Sequence, residues 1–184
     1  MLLIDVVNRF EFEGGEALLR AARSAARRIA ALKARAASLD MPVIYVNDNF
    51  GRWRSDFRTL VEHCLREGAR GRDIVRLLTP TPHDYFVLKP SNSTFYASIL
   101  ETLLRDLHVE TLLLTGVATD NCVLFTAHDA YLRGFRLFVP RDCVAAETSA
   151  RNSRALEIIG RTMKADTRSS ARLRLASLMR KRRR

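Results

Sequence analysis

A thiol does little chemistry unless something near it takes its proton, so the three cysteines of this 184-residue chain, Cys64, Cys122 and Cys143, matter through their neighbours. Odd in number and widely spaced, they match neither a disulfide framework nor a C-x-x-C metal motif, and at least one must be free. Cys122 closes the run Gly116-Val117-Ala118-Thr119-Asp120-Asn121-Cys122, which reads as a strand end, a turn of small residues and capping residues that open a helix. A thiol at a helix start meets unpaired N–H groups and the positive end of the helix dipole, and both favour the thiolate. Asp5 lies inside the apolar run Leu3-Ile4-Asp5-Val6-Val7, where a lone carboxylate is very costly and must be paired or hydrogen-bonded. Lys89 follows the apolar run Tyr85 to Leu88. Nucleophile, carboxylate and cation are the components of an acyl-transfer site if the fold brings them together. An ordinary cysteine, with a pKa near 8.5, is only a few per cent thiolate at neutral pH, and lowering that pKa by about two units makes the thiolate dominant. Lys89 and the helix start are expected to supply that shift, and Asp5 to act as base toward the thiol and acid toward the leaving group. Two plainer readings stay open: a structural Asp5–Lys89 ion pair, and an inert core thiol at Cys122.

What must position these residues is a set of strands and helices in alternation. Leu2 to Val7, Pro42 to Val46, Tyr85 to Leu88, Thr111 to Val117 and Phe135 to Val139 read as buried strands, five as a minimum. Between the first two, Leu18, Ala22, Ala25, Ile29, Leu32, Ala36 and Leu39 recur at alternating four- and three-residue steps, which predicts an amphipathic helix. Further helices are expected over Arg58 to Glu67, Thr94 to Leu107, Asn121 to Leu132 and Ala150 to Met163, with Gly68 to Pro82 as loop. The pattern predicts a single-domain, three-layer α/β/α fold around a mainly parallel, doubly wound sheet. Ligands of such sheets bind outside the carboxyl ends of the strands. Asp5 on the first strand, Asn47 and Asp48 after the second, Lys89 at the end of the third and Cys122 after the fourth would share that rim.

Composition narrows the classes. At 47% hydrophobic and 28% charged residues the chain has the make-up of a soluble globular protein, and no apolar run approaches the ~20 residues of a membrane span. The N-terminus lacks signal-peptide character, so a cytoplasmic location and no membrane partner are expected. The net charge of +11 falls to +6 without Arg180-Lys181-Arg182-Arg183-Arg184. The rest is spread over helices with no interleaved aromatic platform, so nucleic acid is not expected as a partner and the excess reads as a basic surface plus a tail. His63, His83, His108 and His128 lack metal-ligand spacing, and neither metal nor cofactor is expected.

Taken together, Leu3-Ile4-Asp5-Val6-Val7-Asn8-Arg9-Phe10, Pro42 to Asp48, Lys89 with Ser93-Thr94-Phe95, the Gly116 to Cys122 turn, Asp129-Ala130 and Asp142-Cys143 make the chain resemble the isochorismatase-like cysteine hydrolases, which include nicotinamidases and N-carbamoylsarcosine amidohydrolases. The resemblance covers residues 1–167 as a hydrolase domain and leaves 168–184 as a basic C-terminal tail. It implies hydrolysis of the C–N bond of a small amide-like molecule through a thioester-type intermediate, with Asp5, Lys89 and Cys122 as the catalytic triad. It also implies a cis peptide at Val117-Ala118 and an oxyanion hole formed by the N–H groups of Ala118 and Cys122. Phe10, Asn49, Trp53 and Val117 are the candidate substrate-binding residues. Related enzymes are commonly oligomeric, so a homo-oligomer, dimer or tetramer, is expected. Two departures stand out. Asp48-Asn49-Phe50 replaces the Asp-x-His metal motif of nicotinamidases, and Arg9 replaces a common acidic residue, which is expected to make the pocket mouth more basic. Vinyl-ether hydrolysis, as in isochorismatase itself, is the alternative activity, and Cys122 argues against it because that enzyme lacks a cysteine there. The remaining alternative is a non-catalytic member whose basic tail binds an acidic partner.

Overall fold

The computed structural model describes residues 1–49 and 56–178. Among these residues six strands, β1 (Leu2–Ile4), β2 (Ile44–Asp48), β3 (Tyr85–Lys89), β4 (Thr111–Val117), β5 (Arg136–Phe138) and β6 (Val144–Ala145), form an all-parallel sheet in the order β3-β2-β1-β4-β5. β6 pairs with the carboxyl end of β4, Gly116 opposite Val144. Among the described residues seven α-helices flank it: α1 (Gly15–Ala37), α2 (Phe57–Leu65), α3 (Arg72–Leu77), α4 (Leu100–Asp106), α5 (Leu124–Leu132), α6 (Ser149–Thr162) and α7 (Leu175–Leu178).

Strand alternation divides the core in two. Leu2 and Ile4 of β1, with Leu112 and Leu114 of β4, face the α4, α5 and α6 side. Leu3, Tyr45 and Leu113 face the side of α1, α2 and α3. Helix α1 buries the stripe that its periodicity predicts, from Leu18 to Ala36, and carries Glu16 in its first turn and Arg35 in its last, each favourable to the helix dipole. β1 and β4 are neighbours although the chain reaches β4 only after β2 and β3, so the winding direction switches between them. That switch point opens a crevice at the carboxyl ends, where Asp5 and the Cys122 turn leave their strands.

Where the structure departs from the sequence expectations, local backbone chemistry explains it. β1 stops at Ile4 because Asp5 adopts a left-handed conformation, φ 51°, which Asp tolerates better than most residues and which turns the carboxylate out of the ladder. The expected loop of residues 68–82 holds α3, a helix of 6 residues and too short to show a periodicity. Gly71 just before α3 allows a close approach: a Cβ there would lie 2.0 Å from the Asn8 carbonyl oxygen. α4 begins at Leu100 rather than Thr94, because Ser93 and Ser98 hydroxyls accept the Phe95 and Leu100 N–H groups and hold the segment in turns. β6 has only 2 residues and escapes any strand pattern. Residues 168–178, the start of the expected basic C-terminal tail, pack against the domain through Leu173, Leu175 and Leu178.

Candidate active site

Four segments converge at the crevice. Lys89 ends β3 opposite Asp48 of β2 and is completely buried. Its ammonium lies 3.0 Å from Asp5 Oδ2, 2.9 Å from the Ser91 carbonyl oxygen and 3.6 Å from Cys122 Sγ, so each of its three protons has a partner. Asp48 Oδ2 stands farther off at 3.9 Å. Asp5 is buried, and its Oδ1 accepts the Asp48 N–H at 2.7 Å. Cys122 is half-buried, whereas Cys64 and Cys143 are fully enclosed.

The backbone around these groups is held by polar clips. Asn47, fully buried in β2, donates to the Val7 carbonyl at 2.8 Å and accepts the Val7 N–H at 3.4 Å, fixing the chain just past Asp5. The Val117-Ala118 peptide is cis, and Thr119–Val123 forms a π-helical turn leading directly into α5. Cys122 occupies the first turn of that continuous helix, where the Asn121 and Val123 N–H groups both donate to the Ala118 carbonyl at 3.1 Å. Two consecutive residues of α6 hold the turn: Asn152 accepts from the Thr119 hydroxyl at 2.5 Å, and Arg151 pairs with Asp120 and, at 2.6 Å, with Glu147.

Electrostatics correct one expectation. Burial, and then the Asp5 carboxylate, push the Cys122 thiol up to about 12, and Lys89 only partly offsets them. The thiol is therefore protonated at neutral pH rather than a standing thiolate. Burial also raises Asp5 above the usual carboxylate range despite the Lys89 charge. Burial alone would lower Lys89, but Asp5, Cys122 and Asp48 outweigh it and hold the ammonium above its ordinary value. One cation beside two acids stabilises one negative charge and disfavours the second, so Asp5 and Cys122 share a single proton. Cys143 and Cys64 are likewise pushed up by burial, to about 12 and about 11. What distinguishes Cys122 is its contact with Lys89 and its partial exposure.

The other candidates fall in different places. Val117 is buried at the end of β4, and Ala118 is half-buried beside the cysteine turn. Asn49 is buried and donates its N–H to the Lys89 carbonyl at 3.1 Å, which ties the loop after β2 to the site. Phe10 does not stand at an open wall. The Asn8 side chain accepts its N–H at 2.7 Å, and its ring is fully buried in the core. Trp53 lies outside the described residues. Arg9 is engaged by His63 at 2.6 Å and Glu11 at 2.8 Å, an arrangement that spacing did not show. Among the described residues no cluster of three or more His, Cys, Asp or Glu side chains is arranged to hold a metal ion. Asn47 was legible only as a rim residue; a polar side chain inside a buried strand is the signal that it must bind something. The Arg151 and Asn152 contacts left no sequence signal.

Fold and site define the class: a three-layer α/β/α domain with a thiol, a carboxylate and an ammonium in contact at the switch point of its parallel sheet. The isochorismatase domain model matches residues 1–169, and the chain belongs to the isochorismatase family of hydrolases. An isochorismatase family protein of Bacillus subtilis, YaaI, is 38% identical over 159 residues, covering 86% of this chain and 87% of that protein. The crystal structure of an isochorismatase family protein from Desulfovibrio vulgaris superposes with a TM-score of 0.76 at 26% identity over 97% of each chain. N-carbamoylsarcosine amidase from Thermoplasma acidophilum gives a TM-score of 0.71 at 25% identity, covering 94% of this chain and 96% of that one. Among the described residues no helix is long and apolar enough to cross a membrane.

Proposed function

We propose that the chain hydrolyses the C–N bond of a small amide-like substrate, with Cys122 as nucleophile. The observation that carries this reading is the Lys89 ammonium set between Asp5 Oδ2, at 3.0 Å, and Cys122 Sγ, at 3.6 Å. A purely structural Asp5–Lys89 pair needs no thiol, and buried ion pairs add little net stability over apolar replacements. The amidase among the structural relatives supports the amide class.

Cys122 Sγ attacks the carbonyl carbon while Asp5 accepts the thiol proton, so no thiolate need exist beforehand. Lys89 remains charged throughout and stabilises the negative charge as it moves from carboxylate to sulfur to oxygen. The Ala118 and Cys122 N–H groups take the oxyanion. Asp5 returns the proton to the leaving nitrogen, the C–N bond breaks and a thioester remains. Water, giving its proton to Asp5, attacks the thioester; the acid leaves and the proton returns to sulfur. Asn49, Val117, Trp53 and, from behind, Phe10 are proposed to shape the substrate pocket. No resident metal or cofactor enters this scheme.

The working protein is proposed to be a cytoplasmic homo-oligomer; exposed Tyr96, Ile99, Phe125 and Leu132 support an association surface. Small amides, ureides and carbamoyl compounds offered to wild type and to Cys122→Ala test the function. Turnover of at least one compound by wild type alone is expected. Equal turnover by Cys122→Ala sinks the mechanism.

A further inference from the structure

Between Lys89, the last residue of β3, and Leu100, the first of α4, the chain forms turns with neither strand nor helix, so side-chain contacts decide its course. Two of them reach α5. The buried Ser93 hydroxyl donates to Asp129 Oδ2 and accepts the Phe95 N–H at 3.2 Å. The Thr94 N–H donates to Thr126 Oγ1 at 3.1 Å, and both threonines are fully enclosed. Asp129 is held in turn. Its Oδ1 accepts from Arg133 at 2.9 Å, Arg133 also donates to Glu101 of α4 at 2.9 Å, and the Arg133 guanidinium lies 4.7 Å from the centre of the Phe95 ring.

These contacts govern one arm of the active site. The Ser91 carbonyl, two residues before Ser93, accepts a proton of the Lys89 ammonium at 2.9 Å. Asp5 Oδ2, at 3.0 Å, takes a second, so the ammonium is fixed at two points and its third proton is aimed at Cys122 Sγ, 3.6 Å away. Thr126 and Asp129 follow Cys122 by four and seven residues on one continuous helix, about one and two turns along the same face. The nucleophile and the anchors of the segment that holds its cation therefore belong to one helix. The exposed part of the network, Arg133 with Asp129, adds little stability, whereas a hydrogen bond from a buried hydroxyl to a carboxylate is of the stronger, charge-assisted kind.

On the reading of Cys122 as nucleophile and Lys89 as its cation, we propose that Asp129, acting through Ser93, is a positioning residue that keeps the Ser91 carbonyl in place and the Lys89 ammonium turned toward the sulfur. Without the Ser93–Asp129 bond the carbonyl drifts, the ammonium pivots about its Asp5 contact, and the sulfur loses the proton aimed at it. The charged groups facing the sulfur are Asp5 and Lys89, and Asp48 faces the ammonium. Loss of the Asp129 carboxylate acting through its field alone would do the reverse, since removing a negative charge eases ionisation of a thiol. A segment that merely came loose would also expose the sulfur and speed its reactions. Only a displaced Lys89 slows them.

Alkylation of Cys122 by iodoacetamide at pH 8, followed by peptide mass spectrometry, reads this without any substrate. Ser93→Ala and Asp129→Ala should each slow it several-fold: losing one hydrogen bond to a charged group reduces the thiolate fraction about tenfold, and the greater nucleophilicity of a more basic thiolate offsets part of that. Ser93→Thr, which keeps the hydroxyl, should react as wild type does. The double alanine variant should be no slower than the slower single one, because both remove the same bond. Asp129→Asn keeps the shape and weakens the bond, so it should be slowed in part, and it carries the test if an alanine variant does not melt cooperatively. With an amide substrate, kcat should fall about tenfold in Ser93→Ala with KM little changed, the split expected when a group that acts in the transition state is displaced. Amide turnover absent from wild type would remove the hydrolysis reading, and slowed alkylation in the variants would still uphold the positioning role. Alkylation unchanged or faster in folded Ser93→Ala and Asp129→Asn overturns that role, whatever the turnover.

Discussion

The two edges of the sheet treat charge in opposite ways. At the carboxyl edge the Lys89 ammonium and the Asp5 carboxylate are buried and in contact, and the thiol beside them is half-buried. At the other end Arg172 and Arg174 are exposed and of one sign. In the first setting a low local dielectric magnifies each interaction, and losing one partner strands another; in the second, water and salt screen each charge and contributions add nearly independently. A single substitution should therefore be severe at one edge and graded at the other.

The largest expected effect is Cys122→Ala, which should lower kcat by roughly 10⁴-fold or more, as removal of a nucleophile from a cooperating triad does, while leaving the melting temperature nearly unchanged. Steady-state kinetics with calorimetry measure both. Next is Lys89→Met, which leaves the buried Asp5 carboxylate unpaired. Breaking a buried pair costs about 3–5 kcal/mol, and adding Asp5→Asn should restore part of it. Urea unfolding of the three variants checks this, and full additivity would contradict direct coupling of the pair.

The pH dependence comes third. Asp5 must be ionised to accept the thiol proton, and burial holds its pKa above the ordinary value of about 3.9. kcat/KM should therefore fall as pH is lowered through that raised pKa. The folded state also holds the Asp5 proton more tightly than the unfolded chain. Its stabilising contribution is thus complete below the unfolded pKa and lost as pH rises through the folded one. An acid limb at or below the ordinary carboxylate range would remove Asp5 as the base. The smallest of these effects is expected for Arg151→Met, which releases an exposed ion pair on the cysteine turn. A several-fold loss in kcat with KM and melting temperature little changed is expected, and partial recovery with Arg151→Lys would mark the charge as the feature that matters.

How much was legible in the sequence follows the same division. The strands and α1 could be read because burial imposes a period, as in Leu18 to Ala36. Asp5, Lys89 and Cys122 could be placed on one rim because parallel topology puts strand ends there. Their protonation could not be read. The dipole and lysine arguments favoured a thiolate, and only the contacts show that burial and Asp5 outweigh Lys89 at the sulfur. α3 and β6 are too short for any period to register. The packing of 168–178 was hidden because its three buried leucines are diluted by arginine and serine. Asn152 and Arg151 look like ordinary helix surface until Thr119 and Asp120 are seen against them.

Asp5→Asn tests the central claim, that Cys122 is activated in place by Asp5, because it separates thiol ionisation from catalysis. Without the carboxylate, Lys89 faces the sulfur alone. Alkylation by iodoacetamide, followed at Cys122 by peptide mass spectrometry across pH, should show a midpoint below that of wild type, while amide turnover is lost. Retained turnover, or a midpoint that is unmoved or higher, would contradict the account.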